Sequence, residues 1–168
     1  MEFMLIIAGV LVLFLPIIYI LADYSLEAGS DAREYQLNSM AERIVDESRE
    51  IYYLGLFSKQ IITVKVPDGV YDMSSYIINK SGTYENYLSI SYYTDQGAER
   101  LLVPSEVPII TSDCNIDNTI ASGCGGAVKC YACAFDPADY AEGSHNFQLK
   151  TLGWHEMIAV NMTQVTAW

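Results

Sequence analysis

The most constraining feature of the chain is an uncharged apolar run at its N-terminal end. Twenty residues, from Phe3 to Ala22, read FMLIIAGVLVLFLPIIYILA. As a helix this run is about 30 Å long, which is the thickness of the hydrocarbon layer of a bilayer. A surface helix of a globular domain needs an apolar stripe on one side only. The run is therefore expected in a bilayer, in a signal peptide or inside a bundle of similar helices.

The residues that flank the run argue against a cleaved secretory signal. Such a signal has basic residues before a shorter apolar segment and a small-residue cleavage site after it. Here the first basic residue is Arg33, and Tyr24-Ser25-Leu26-Glu27 is a poor cleavage site. A single-pass anchor also lacks an orientation signal, because no Lys or Arg borders the run. We expect either that a basic leader is removed before residue 1 or that the start of the chain is displaced.

Glu2 stands directly before the apolar run. In one interpretation its carboxylate lies at a lipid–water interface or favours the positive end of a helix, where it is energetically harmless. In the other, assembly encloses the carboxylate, and a neighbouring chain must then supply a cation or hydrogen-bond donors. That requirement follows because an unpaired buried charge is strongly destabilising.

After Ala22 the pattern becomes amphipathic. Apolar residues from Leu37 to Leu54 recur at steps of three and four, which is the period of one helix face, and charged residues occupy the other face. Pro16 removes one backbone hydrogen bond and should kink or loosen the helix. Gly55 is a plausible end signal near the last apolar residues. The sequence therefore predicts one helix over residues 2–57.

From Gln60 onward the period changes to that of a β-strand. The segment Ile61–Val66 alternates apolar and polar residues. Pro67-Asp68-Gly69 then forms a turn, because proline presets φ and glycine accepts positive φ. Further alternating runs are found at residues 88–92, 147–150 and 158–163. Short runs of this kind, separated by turn residues, predict an antiparallel sheet or a small sandwich.

These patterns give the chain a two-part organisation. Residues 1–57 form the helix, with an apolar segment at 1–22 and an amphipathic stalk at 23–57, and residues 58–168 form one globular domain. The predicted fold class is α+β, a long N-terminal helix followed by a small antiparallel β-sheet or sandwich. A segment that is apolar on every side has no partner in a domain of this size, so we expect it to pack against other molecules.

The four cysteines, Cys114, Cys124, Cys130 and Cys133, lie within twenty residues. In an extracellular domain an even number of clustered cysteines usually indicates disulfides, here two, with three possible pairings. A zinc ribbon is the alternative, but only Cys130 and Cys133 have the C-x2-C spacing. A c-type haem would need a histidine where Ala134 stands, and no βαβ unit supports a thioredoxin-like motif. Disulfides are the favoured interpretation.

Composition and motifs exclude several functions. Nine Lys and Arg against 21 Asp and Glu give a net charge of −12, which argues against nucleic-acid binding because phosphate contacts need a basic face. Two histidines and no His/Asp/Glu cluster leave little material for a catalytic metal centre. No phosphate-binding or nucleophile motif is found. We therefore expect neither an enzyme nor a bound cofactor.

Two asparagines occur in N-x-[ST] sequences, Asn79 before Lys80-Ser81 and Asn161 before Met162-Thr163. Asn79 precedes a predicted turn, and Asn161 lies on the strand face opposite Val160 and Met162. Both side chains are expected to point outward, as N-glycosylation requires. An ordinary surface asparagine is the alternative for each.

Together these features resemble archaeal type IV pilins with class III signal peptides. The resemblance rests on the start Met1-Glu2-Phe3-Met4-Leu5-Ile6-Ile7, on the amphipathic continuation of the helix and on a small disulfide-bearing β domain. In that family a prepilin peptidase removes a short basic leader upstream of a glutamate that precedes the apolar run, and Glu2 matches that glutamate. The segment Ile62–Val70 is similar to a strand and turn common in archaeal members. Archaellins are related but generally lack this glutamate.

The resemblance implies a structural protein, the major subunit of an extracellular archaeal type IV-like pilus for adhesion or cell contact. Its subunits reside in the membrane first, and an assembly motor passes them into a helical homopolymer whose core is the bundled N-terminal helices. Glu2 would aid docking by pairing with a neighbour's terminal amine. The other residues expected in the assembly interface are Phe3, Leu5, Ile6, Leu11, Leu13, Phe14, Pro16, Ile17, Ile18 and Leu21.

Two alternatives to the major subunit stay open. One is a monomeric single-pass membrane protein that exposes an extracellular β binding domain. The other is a minor pilin that caps or primes a filament. A basic leader upstream in the reading frame would separate the first alternative from a pilus subunit, and abundance in sheared extracellular fibres would separate the second.

Overall fold

The computed structural model describes most of the chain in two compact units, Met1–Tyr35 and Gln36–Trp168. The division therefore falls within the helical region, whereas the sequence pattern places it after residue 57. Side chains are not described for residues 2–9, 11 and 21–31. The described residues are 2–80, 82–94, 97–117, 119, 124–125, 128–155 and 157–165.

A single helix, α1, occupies Glu2–Leu54 and continues through Pro16. It ends where Gly55 adopts a φ of 99° and donates its amide N–H to the carbonyl oxygen of Tyr52 at 3.2 Å. A glycine in the left-handed region is a common helix terminator, because it lacks the Cβ that makes this region costly. The end signal inferred from Gly55 is confirmed, and the helix stops there rather than at residue 57.

Nine strands follow α1 in the described part of the chain. Four of them form one sheet in the order β1-β8-β9-β5, and five form a second sheet in the order β4-β3-β2-β7-β6. The strands are β1 (Lys59–Val66), β2 (Val70–Lys80), β3 (Thr83–Thr94), β4 (Gly97–Ser105), β5 (Ile109–Ile110), β6 (Asp113–Ile116), β7 (Val128–Ala134), β8 (Gly143–Trp154) and β9 (Met157–Gln164).

The predicted fold class, an α+β fold of pilin type with a small antiparallel β domain, is wrong. The described chain is mainly β, because its strands hold more residues than α1 and build two sheets of four and five strands. One strand pair, β5 with β9, is parallel. The alternating runs identified four strands, β1, β3, β8 and β9, and these are confirmed. The two-sheet architecture depends on the strands that the patterns did not identify.

The missed strands carry no clean alternation, for a physical reason. In β2, for example, Met73, Ser74 and Ser75 are buried in succession. Ser74 and Ser75 of β2 are neighbouring buried polar residues, so polarity does not mark the solvent face of this strand. In β3 the buried Ser89 and Ser91 alternate with apolar residues, so the period stays visible there. Strand prediction from apolar/polar alternation assumes that one face of the strand is buried and the other is solvent-exposed, so it fails for a strand such as β2.

The main hydrophobic core joins both sheets to the C-terminal part of α1. Leu37, Ile44 and Ile51 recur every seven residues on that helix and have no exposed surface. They pack in one cluster with Ile62 and Val64 of β1 and with residues of other strands. The further members from those strands include Met73, Leu88, Ile90, Phe147, Leu149, Val160 and Met162.

A smaller core lies near the cysteines. It contains Ile77, Ile110, Tyr131, Cys133 and Ala159. The ring of Tyr131 meets the edge of Trp154 with centroids 4.9 Å apart. This smaller core therefore buries Tyr131 and Cys133 of β7.

Candidate assembly surface

The N-terminal part of α1 presents an almost continuous apolar surface to solvent. Between residues 10 and 20, nine large apolar side chains have exposed fractions from 48% to 75%. We call this surface the apolar segment of α1. Its members are Val10, Val12, Leu13, Phe14, Leu15, Ile17, Ile18, Tyr19 and Ile20.

The apolar segment is exposed on every side of the helix. Residues 12–15 and 17–20 are consecutive, and successive helical residues point about 100° apart. Their directions therefore cover the full circumference. Each such side chain gains about 1.5–3 kcal/mol when it is removed from water, so full exposure of this surface is strongly unfavourable. The arrangement suits an environment that surrounds the helix rather than one that contacts a single face.

Five of the eleven predicted assembly residues have described side chains within the stretch of α1 that carries this segment. Leu13, Phe14, Ile17 and Ile18 are exposed there, and Pro16 lies among them with its own side chain exposed. The side chains of the other predicted assembly residues lie outside the described residues; these are Glu2, Phe3, Leu5, Ile6, Leu11 and Leu21.

Sequence reasoning did not single out several exposed members of the segment. Val12, Leu15, Tyr19 and Ile20 are as exposed as the residues that were named. The signal for them was the unbroken apolar run itself, which distinguishes no preferred face.

Within the part of the chain that the structure describes, no helix combines the length and hydropathy of a membrane-crossing segment.

All four cysteines are joined in disulfides, Cys114 with Cys133 and Cys124 with Cys130. The structure thus selects one of the three pairings left open by the sequence. Cys114 and Cys133 are register partners across β6 and β7. The second disulfide closes the turn in which Gly125 bridges Val128. Neither disulfide leaves a thiolate for the alternative zinc site.

Titratable groups near the start of β8 take part in local hydrogen bonds. The ring Nε2–H of His145 donates to the carbonyl oxygen of Ala141 at 2.7 Å, and its Nδ1 accepts from the amide Nε2–H of Gln164 at 2.8 Å. Burial raises the pKa of the Asp139 carboxyl above its ordinary value. Among the described residues, no group of three or more His, Cys, Asp and Glu residues is placed to hold a metal ion.

The two candidate glycosylation sites differ in their surroundings. Asn79 is half-buried, accepts the amide N–H of Gly82 at 2.9 Å and approaches the Tyr84 hydroxyl at 3.4 Å. Its sequon hydroxyl, that of Ser81, lies outside the described residues. Asn161 is half-buried in β9, and its Oδ1 is buried with no hydrogen-bond partner among the described residues. The turn at Gly82 therefore offers a more open setting than the strand at Asn161.

Comparison of the chain with protein-family models, with curated proteins and with solved structures gives no match.

Proposed function

We propose that this chain is a structural protein, the major subunit of an extracellular archaeal type IV-like pilus for adhesion or cell contact. The apolar segment of α1 carries the proposal, because its side chains are exposed around the whole helix. A bundle of identical helices removes such a surface from water on all sides. Before assembly the same apolar run holds the subunit in the membrane.

The two compact units differ in how they bury apolar side chains, and this difference supports the proposal. The unit Gln36–Trp168 contains two sheets and a hydrophobic core of its own, which includes one side of α1 from Leu37 to Ile51. The described side chains of the apolar segment have no comparable burial. In the proposed filament the first unit supplies the bundled helices, and the second unit keeps its own hydrophobic core. A prepilin peptidase and an assembly motor are the further partners that the proposal requires.

A matched pair of tyrosine substitutions tests the role of the apolar segment. Tyr19 and Tyr35 lie on the same helix with exposed fractions of 75% and 76%, but only Tyr19 belongs to the segment. Tyr19→Asp would place a charge in the bundle and should abolish filaments, because an unpaired buried charge is strongly unfavourable. Tyr35→Asp should assemble. Electron microscopy of sheared, purified material supplies the measurement.

Three results would count against the proposal. Filaments formed by Tyr19→Asp at the wild-type level would exclude helix bundling at this position. A wild-type chain that stays singly dispersed in detergent, with its helix in lipid, would instead support a single-pass anchored protein. A wild-type chain that is rare in sheared fibres would support a minor subunit.

The contribution of Glu2 is tested separately. If Glu2 pairs with the terminal amine of a neighbour, Glu2→Ala should impair assembly while thermal unfolding of the β domain stays unchanged. Normal filaments from Glu2→Ala would exclude the docking role of this carboxylate without affecting the argument from the apolar segment.

A further inference from the structure

A second exposed apolar surface lies where α1 ends and β1 begins. Five large apolar residues within nine positions of the chain have exposed fractions from 50% to 74%. They are Tyr53, Leu54, Leu56, Phe57 and Ile61, and we call them the Phe57 patch. These five exposed apolar residues are close together along the chain, whereas exposed apolar residues on ordinary surfaces are scattered singly.

The loop that carries the patch is fixed by one buried threonine. Thr151 of β8 has no exposed surface. Its hydroxyl donates to the carbonyl oxygen of Gly55 and accepts the amide N–H of Ser58 at 3.0 Å. Its backbone accepts the amide N–H of Phe57 at 3.0 Å and donates to the carbonyl oxygen of Ser58 at 3.1 Å. The presentation of Leu56 and Phe57 is thus imposed by the fold.

Phe57 is displayed at an energetic cost. Its φ is 67°, in the left-handed region that non-glycine residues rarely adopt. Its side chain is 74% exposed, so burial within the subunit compensates for little of this strain. Strained residues that the surrounding structure holds in place are concentrated at functional sites. The observation therefore points to a role for this ring outside its own subunit.

Two lysines adjoin the patch without a carboxylate partner. Lys59 of β1 and Lys150 of β8 are opposite each other in the strand register, where like charges repel. Neither takes part in an ion pair among the described residues. Lys65 also has no ion pair among the described residues, so the feature that distinguishes Lys59 and Lys150 is that they face each other. This lysine pair suits a partner that supplies carboxylates.

We propose that the Phe57 patch and the Lys59–Lys150 pair dock onto the acidic side of α1 in a second copy of the chain. Glu42, Asp46 and Glu50 follow one another at four-residue steps and are exposed. Asp46 pairs with Arg49 at 3.1 Å, whereas Glu42 and Glu50 have no ion-pair partner among the described residues. Charge complementarity therefore identifies the occupant, because the chain itself presents the carboxylates that the lysines lack.

The charge distribution disfavours one symmetry of this contact. A two-fold interface through the patch would bring two Lys59–Lys150 pairs together, which is repulsive. A head-to-tail contact between the patch and the helix of the next copy avoids that repulsion and generates an open chain. The inference rests on the proposed filament and gives it a second contact, made by the β-rich unit.

Zero-length cross-linking of the full-length filament tests the contact directly. A carbodiimide joins a lysine amine to a carboxylate only when the two are in contact. In filaments grown from a mixture of isotopically light and heavy subunits, Lys59 or Lys150 should be joined to Glu42, Asp46 or Glu50 of another copy. Lys65, on the same outward side of β1 but opposite Ser144, is the internal control and should give no such product.

Charge reversal tests whether the contact matters for assembly. Lys59→Glu combined with Lys150→Glu should raise the critical concentration for assembly about tenfold or more, which corresponds to the loss of one strong interface contact. When Glu42→Lys and Glu50→Lys are added to the double lysine variant, the critical concentration should return to the wild-type value. Lys65→Glu should leave the critical concentration unchanged.

Phe57→Gly separates the role in the interface from a role in folding. Glycine accepts the φ of this position, so the subunit should unfold at the same or a higher temperature while assembly weakens. Two results together would overturn the inference and leave the proposed filament intact. Phe57→Gly and the double lysine variant would assemble as well as the wild-type chain, and wild-type filaments would give no intermolecular cross-links from Lys59 or Lys150. Normal filaments from Tyr19→Asp would overturn the proposed function. Cross-links from Lys59 or Lys150 in the concentrated wild-type chain would then still show that the Phe57 patch contacts a second copy.

Discussion

The two ends of helix α1 share one secondary structure but solve the problem of apolar burial differently. Between residues 37 and 51 the apolar side chains lie on one side, and Leu37, Ile44 and Ile51 are buried within the subunit. Between residues 12 and 20 the described apolar side chains point in all directions and stay exposed. Helix geometry alone does not produce the difference. It arises because a single face can be covered by a sheet, whereas a whole circumference needs several neighbours.

The largest expected effect tests whether burial really differs between the two ends. Ile44→Ala should lower the free energy of unfolding by about 2–5 kcal/mol, because the side chain is fully buried in the main core. Ile18→Ala, on a side chain that is 59% exposed, should change it by less than about 0.5 kcal/mol. Denaturant unfolding of the full chain measures both. Equal losses would show that the apolar segment is already buried within its own subunit.

The self-contained unit also depends on its disulfides, and the two should differ in weight. Replacing Cys114 and Cys133 by serine removes a link across 19 residues and should cost about 3 kcal/mol. Replacing Cys124 and Cys130 removes a link across 6 residues and should cost about 2 kcal/mol. Urea titrations of the two double variants measure the order. A reversed order would indicate that loop entropy is not the dominant contribution.

A smaller effect on the free energy of unfolding is expected in the loop that connects α1 to β1. Thr151→Val removes the hydroxyl that bonds Gly55 and Ser58 and should cost about 1–3 kcal/mol, because those backbone groups lose a partner in a partly buried site. Thr63→Val removes an exposed hydroxyl that donates to Asn146 Oδ1 at 2.8 Å and should cost less than about 0.5 kcal/mol. Thermal unfolding compares the two. Similar costs would mean that Thr151 does not anchor the loop.

The smallest expected effect is a pH dependence within the β-rich unit. Burial raises the pKa of Asp139 in the folded chain, so the folded state holds this proton more tightly than the unfolded state. Stability should therefore fall as the pH rises from the unfolded pKa to the raised folded pKa, and Asp139→Asn should remove that fall. Urea midpoints between about pH 3 and 6 show the slope.

Asp117 provides the opposite slope as a control. Hydrogen bonds from the hydroxyl and the amide of Thr119 lower the pKa of its carboxyl. Its contribution to stability is present above the unfolded pKa and is lost as the pH falls through the folded pKa. Asp117→Asn should therefore remove the loss of stability at acid pH. If Asp117→Asn and Asp139→Asn changed the pH dependence of stability in the same direction, the assigned causes of the two pKa shifts would be contradicted.

The sequence predicted the features that follow from local pattern. The apolar steps of three and four that begin at Leu37 predicted the buried helix side, although Leu54 at the end of that pattern is exposed, and Gly55 predicted the end of the helix. The alternation of Ile62, Val64 and Val66 gave β1. These succeed because a helix period, a left-handed glycine and a half-buried strand each leave a direct trace in residue order.

The fold class and the Phe57 patch could not be predicted in the same way. The missed central strand β2 has two neighbouring buried serines, Ser74 and Ser75, which a sequence pattern treats as solvent-facing positions. The exposure of Phe57 depends on hydrogen bonds to Thr151, 94 positions away in β8 at the Phe57 amide. No local period reports a contact over that separation.

By itself, the sequence determined that the chain has a helix apolar on every side, an acidic balance and four clustered cysteines, because these are properties of residue identity and spacing. Only the tertiary structure decided how the cysteines pair and that two lysines stand opposite each other in the strand register near an exposed phenylalanine. Those facts arise from strands that meet across long stretches of the chain, where packing and register, rather than local propensity, determine which residues become neighbours.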